Sequence, residues 1–159
     1  EIFMVLWQAG AANLARKISK KDYVKLEPTF QTFIEKGKKF TLFDYMDAEA
    51  KRAENAAHIK KVFQEVEAII GPTLPVLPFN TKDNVPDGFK KDQLFSWLPF
   101  TYPFNLTKNP ASTINVNFSG SGLPVGLQIV TDTYEDKTCF ELAFFIEKTM
   151  GLTDKWPSF

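Results

Sequence analysis

Residues 112–131 constrain the fold most, because two stretches of period-two alternation are separated only by turn residues. Ser112 to Ser119 sets Ile114, Val116 and Phe118 against Thr113, Asn115 and Asn117. That pattern predicts a strand with one buried and one wet face. Val125 to Thr131 predicts a second strand, with Leu127 and Ile129 on one side. Ser119-Gly120-Ser121-Gly122 between them is turn chemistry, so the pair is expected as an antiparallel hairpin. A further short strand is expected at Ile69 and Ile70. It must end near Gly71, because the prolines at 72, 75 and 78 have no N–H for a ladder.

Helical spacing occupies the rest. Ile2 to Ile18 predicts a helix with Phe3, Leu6, Trp7, Gly10, Leu14 and Ile18 near one face, and with Ala9 to Ala12 small enough for close approach. Ser19 to Asp22 reads as exposed and polar. Pro28 can open a short helix that Gly37 stops. Thr41 and Asp44 form a capping-box variant at the head of the longest helix, whose apolar spacing runs through Leu42, Tyr45, Met46, Ala50, Ala53, Ala57, Val62, Phe63 and Val66. Glu135 to Met150 predicts a last helix, with Phe140, Ala143, Phe144 and Met150 or their neighbours inward and Gly151 at its end. Asn80 to Lys91 reads as a surface loop and the segment where disorder is expected. Helices covering a sheet, in this order, imply an α/β or α+β layer arrangement. A chain of 159 residues is long enough for one domain or part-domain spanning 1–159.

Composition narrows the function classes. Lys plus Arg and Asp plus Glu number 19 each, so no net field favours nucleic acid or an anionic membrane. No run of 18 apolar residues predicts a membrane span. With 16 Phe, the chain can fill a core and still have apolar surface left over, which implies a partner, a ligand groove or a missing piece of the same protein; self-association is one such arrangement. The single cysteine, Cys139, cannot form an internal disulfide or a zinc site and falls among core-type residues. The default compartment is cytoplasmic. The chain starts at Glu1, not Met, so a natural start is not expected; processing, trimming or separation from a larger protein would each explain it.

Candidate nucleophiles fare poorly. Gly120-Ser121-Gly122 lacks the G-x-S-x-G spacing and strand-to-helix setting of a nucleophile elbow, and fits a turn. The one histidine, His58, lies on the long helix without a ligand or triad motif around it. Glu65 and Glu67 fit a charged helix face. No catalytic residue, metal ligand or cofactor motif is assigned within the chain.

The ordered motifs carry more. Asp44-Tyr45 is followed by Ala48 and Arg52, then by Ile70-Gly71-Pro72-Thr73-Leu74-Pro75. Next come Trp97-Leu98-Pro99-Phe100-Thr101 and Asn105-Leu106-Thr107-Lys108-Asn109-Pro110-Ala111-Ser112. Gly122-Leu123-Pro124-Val125-Gly126-Leu127-Gln128-Ile129-Val130 and Trp156-Pro157 close the series. Together they resemble the C-terminal portion of the amidase signature family, in its general amidase subgroup. Residues 40–157 match well and 1–39 loosely. The family commonly has glycine at the positions of Lys108 and Thr131, and Pro-x-Gly where Asn115-Val116-Asn117 stands. A lysine at 108 is expected to require a backbone φ below zero.

The resemblance implies an α/β fold, a mixed sheet flanked by helices, incomplete on its own. It implies amide hydrolysis by a serine, a second serine in a cis peptide and a lysine that must be desolvated to accept a proton. Backbone N–H groups would meet the oxyanion. All of these come from a Gly/Ser-rich tract preceding the present segment, so the chain alone is expected to be inactive and its partner to be that N-terminal amidase segment. What remains for this segment is scaffold and a wall of the pocket for a small-molecule amide. Trp97, Phe100 and Thr101 are nominated as substrate-binding residues; core packing of Trp97 and Phe100 is the open alternative. Members acting on aminoacyl-tRNA keep a carboxylate near here, where this chain has Leu98, which favours a fairly apolar amide. The alternative function is a binding or interaction module that retains the fold without chemistry.

Overall fold

A computed structural model describes residues 1–89 and 95–152. The chain separates into two compact units, Glu1–Ala57 and His58–Phe159. No helix among the described residues is long and apolar enough to cross a membrane.

The first unit is helical: α1 (Ile2–Ala15), α2 (Lys20–Tyr23), α3 (Pro28–Gly37) and the greater part of α4 (Leu42–Val62). Pro28 starts α3 as expected, and the Glu27 side chain accepts from the Phe30 N–H at 3.0 Å. Ser19 caps the short helix α2, a segment expected only to be polar and exposed. The packed stripe of α1 differs from the one predicted. Gln8, Ala11, Ala12 and Ala15 are buried, whereas Trp7, Leu14 and Ile18 remain exposed. The reason is the small-residue run: it lets α3 come so close that a Cβ on Gly37 would lie 2.0 Å from the Gln8 carbonyl oxygen. Ile34 and Phe33 fill the centre, and Trp7 still meets the Phe33 ring edge-on at 5.1 Å.

The capping box of α4 is reciprocal. The Asp44 N–H donates to Thr41 Oγ1 at 3.1 Å, and the Thr41 N–H donates to Asp44 Oδ2 at 2.7 Å. The Thr41 hydroxyl, which also donates to Asp44 Oδ2 at 2.7 Å, and the Thr41 N–H hold the Asp44 carboxyl below its ordinary value. Of the motif residues on this helix, Ala48 is buried, while Tyr45 and Arg52 converge on Glu49 at 3.1 and 2.7 Å. The predicted apolar face is not covered: Leu42, Tyr45 and Met46 are exposed, with Phe43 beside them. The helix also ends at Val62, short of Phe63 and Val66, because Ala68 is drawn into pairing with Thr131.

The second unit centres on a three-stranded sheet of order β1-β3-β2, with β1 (Ala68–Pro72), β2 (Ala111–Phe118) and β3 (Pro124–Thr131). Both pairings are antiparallel, so the expected hairpin is present and β1 lies on the other side of β3. The turn closes through Gly122 N–H to the Ser119 carbonyl at 2.9 Å, with Gly122 at a φ of 78° that favours glycine. β1 stays paired to Pro72, one residue past the predicted stop.

Register sorts the side chains into two faces. Ile114 opposes Leu127, and Ser112 opposes Ile129. Helix α6 (Asp136–Met150) packs on this face through Cys139, Leu142, Ala143 and Ile146. The predicted inward residues Phe140, Phe144 and Met150 are exposed instead; only Ala143 of that set is buried. Small Cys139 and Ala143 bring the helix axis close to the sheet, which turns the large phenylalanines outward. Cys139 is core, as expected.

A β-bulge interrupts β2 between Asn115 and Asn117. Beyond it, Asn117 pairs with Val125 and Phe118 with Pro124, so the simple alternation predicted for the strand breaks at Val116. Val85 and Pro86 are buried, which anchors the middle of the predicted surface loop; Lys90 and Lys91 lie outside the described residues, as do Trp156 and Pro157.

Candidate functional site

The face of the sheet turned away from α6 has a different chemistry. Thr113 opposes Gln128, Gln128 opposes Gly71 from the other side, and Asn115 opposes Gly126. A polar residue within the apolar run Leu127-Gln128-Ile129-Val130 must find a partner once buried. Gln128 is only 7% exposed, and its Nε2 donates to the Phe100 carbonyl oxygen at 3.0 Å. The segment nominated from sequence therefore lies over this polar face, held there by a side chain of β3.

That segment is tightly wound. The Leu98 N–H donates to the Phe95 carbonyl at 3.2 Å, and the Thr101 N–H to the Leu98 carbonyl at 3.4 Å. Thr101 Oγ1 donates to the same Leu98 carbonyl at 3.4 Å, and the Thr101 carbonyl receives the Asn105 side chain at 3.3 Å. Trp97 is half-buried and meets the Phe79 ring edge-on at 5.2 Å and 86°. Phe100 is 39% exposed. Trp97 thus packs on its neighbour while Phe100 keeps free ring surface.

A second strut comes from the Pro-rich motif. The Thr73 N–H donates to the Gly126 carbonyl at 3.0 Å, and Thr73 Oγ1 approaches Thr113 Oγ1 at 3.4 Å. Glycine at 126 leaves room for this: a Cβ there would stand 2.8 Å from Thr73 Oγ1.

A third strut uses the Asn-Pro-Ala-Ser motif. Helix α5 (Tyr102–Thr107), which sequence patterning had not indicated, ends at Lys108 with φ 60°, in the left-handed region. This overturns the expected negative φ. Glycine suits that conformation best, and this chain accepts it with a lysine. Thr107 Oγ1 then donates to Asn109 Oδ1 at 2.6 Å, and Asn109 Nδ2 donates to the Thr131 carbonyl at 2.8 Å. Thr131 is fully buried, and its hydroxyl donates to the Glu135 carbonyl at 2.9 Å. The end of α5, the start of β2, the end of β3 and the approach to α6 are thereby tied at one point.

The other sequence candidates stand apart from this arrangement. Ser121 bonds Ser119 across the hairpin turn at 2.9 Å. His58 is exposed on α4. In the second unit, Asp132 is held below its ordinary value by its ion pair with Lys60 at the end of β3. Among the described residues no group of three or more His, Cys, Asp and Glu could hold a metal ion. Local pattern singles out the Trp97–Thr101 segment but not the residues that hold it, Gln128, Thr73 and Asn109. The signal for Gln128 was present, as the one amide side chain in an apolar strand.

A family model described as Amidase matches residues 2–140. A glutamyl-tRNA(Gln) amidotransferase subunit from Alkaliphilus metalliredigens is 30% identical over 118 residues, covering 71% of this chain and 23% of its own length. An acylamidase of Rhodococcus erythropolis is 33% identical over 98 residues, covering 59% and 20%. A crystal structure of an amidase superposes with a TM-score of 0.80 at 25% identity, covering 93% of this chain and 34% of that one. The chain spans about a quarter of the length of these curated relatives and about a third of that structure.

Proposed function

The chain belongs to the amidase family, and on that premise we propose that it is the C-terminal part of a serine-dependent amidase hydrolysing the C–N bond of a carboxylic amide. Its contribution is scaffold and one wall of the substrate pocket. The attacking serine, the cis-peptide serine and the lysine base belong to the N-terminal segment that completes the protein.

The observation that carries this reading is the junction of Gln128 with the Trp97–Thr101 segment. Substrate pockets combine apolar walls with a few fixed polar groups. Here a wound segment bearing Trp97, Leu98 and Phe100 is fastened by side-chain and main-chain bonds to a rigid sheet. Rigid placement is what a pocket wall requires, because orientation lowers the barrier only if the bound amide is held near its reactive geometry. The exposed ring of Phe100 and the apolar Leu98 suit a substrate with an aryl or alkyl group beside the amide. The uncovered apolar faces of α4 and α6 suit burial against the remainder of the protein.

The test is selectivity in the completed protein. Phe100→Ala should raise KM for an aryl amide about tenfold, as expected for losing roughly half the burial of an aromatic side chain. It should leave acetamide hydrolysis nearly unchanged. An equal effect on both substrates would contradict a wall role.

A further inference from the structure

We propose that Gln128 is the positioning residue of the substrate-facing wall: by donating to the Phe100 carbonyl it sets where the Trp97–Phe100–Thr101 surface stands over the sheet, and so tunes which amides are accepted. The inference rests on the proposed function in taking that segment as pocket wall.

Gln128 sits on the central strand of the sheet, paired on both sides, with Gly71 and Thr113 opposite it. Its backbone is thereby fixed, and its side chain ties that fixed point to the wall. The acceptor is well chosen for leverage. Phe100 lies within the run of turns in which Leu98 accepts from Thr101 N–H and Oγ1. A displacement at Phe100 is therefore passed to Thr101 and Leu98 and on to Trp97, whose ring is braced at 5.2 Å by Phe79. Gly71, the residue opposite Gln128 on β1, brings no side chain to this face. A hydrophobic residue of equal length would fill the same space but could not bond a carbonyl.

Gln128→Met supplies that comparison. In the 159-residue chain with Trp7→Phe and Trp156→Phe, 5-fluorotryptophan reports on Trp97 alone. Its fluorine resonance is expected to shift or split in Gln128→Met. In the completed enzyme the same substitution should raise KM for an aryl amide about 2- to 12-fold, the loss of one hydrogen bond, with kcat and acetamide turnover little changed. A purely structural role would lower both substrates alike. An unmoved resonance, or an unmoved ratio between the substrates, overturns the proposal. If the completed wild type hydrolyses no amide, the amidase reading fails separately, and the fluorine signal still judges the tether. Should Gln128→Met not fold, side-chain amide exchange in the unsubstituted chain decides: slow exchange of the Gln128 carboxamide protons supports the tether, and solvent-like exchange refutes it.

Discussion

Gly126→Ala probes the join between the Pro-rich motif and the sheet. An added Cβ would meet Thr73 Oγ1 at 2.8 Å, Thr113 Cγ2 at 3.1 Å and Thr73 Cβ at 3.2 Å. Two of those atoms belong to one β-branched side chain, whose main chain is itself bonded to the Gly126 carbonyl. Thr73 cannot swing away without giving up its approach to Thr113. Overpacking of this kind costs about 1–3 kcal/mol. Reduced freedom of the unfolded chain returns about 0.4–1 kcal/mol, leaving a net loss of about 1–2 kcal/mol. Urea unfolding should show the midpoint falling by roughly 0.5–1.5 M. Thr73→Ala removes the nearest contact, so in that background the same substitution should cost less than about 0.5 kcal/mol, a coupling near 1 kcal/mol. Equal costs in the two backgrounds would refute the idea that Gly126 exists to admit Thr73.

Gly37→Ala is expected to be harsher, because the added Cβ would lie 2.0 and 2.4 Å from the Gln8 carbonyl oxygen and carbon, main-chain atoms that cannot rotate aside. A loss of about 3 kcal/mol or more in the first unit, read from the near-ultraviolet signal of Trp7 and Phe33, is the outcome to look for. Lys108→Gly should go the other way, raising stability by about 0.5 kcal/mol: relief of the left-handed backbone slightly exceeds the extra freedom of glycine in the unfolded chain, and calorimetry would show it. Acid should loosen the head of α4. The folded Asp44 carboxyl titrates below its ordinary 3.8, so its cap is intact above that value and is lost as pH falls through the lower, folded one. The Thr41 amide proton shift, followed against pH, checks the direction, and a transition above 3.8 would contradict it.

Much of the fold was legible where a residue type has one dominant use. Pro28 and Gly37 bounded α3, Thr41 and Asp44 announced α4, and the Thr113–Phe118 alternation with its Ser-Gly turn announced the hairpin. What was not legible depended on competition between elements. The tail of the long helix has helical spacing, but strand pairing at Ala68 ends it early. In α6 the apolar residues surround the helix, so periodicity could not show that Cys139 and Ala143 would win the inner face from Phe140 and Phe144. Tyr102–Thr107 was hidden by Pro103, which is tolerated in a helix's first turn. Trp97, Phe100 and Thr101 could be nominated as a group because they lie close together in the chain. Their supports could not, since Gln128, Thr73 and Asn109 act across 22 to 53 residues of chain through bonds that no local pattern records.

The central claim is that this segment shapes a pocket for chemistry performed by groups it does not hold. The direct measurement is hydrolysis of an aryl amide by the 159 residues alone, and again after combination with the proposed N-terminal amidase segment. Turnover is predicted only from the combination, abolished when that segment's lysine is replaced. Turnover by the 159 residues alone, or none from the folded combination across aryl and alkyl amides, would contradict the claim.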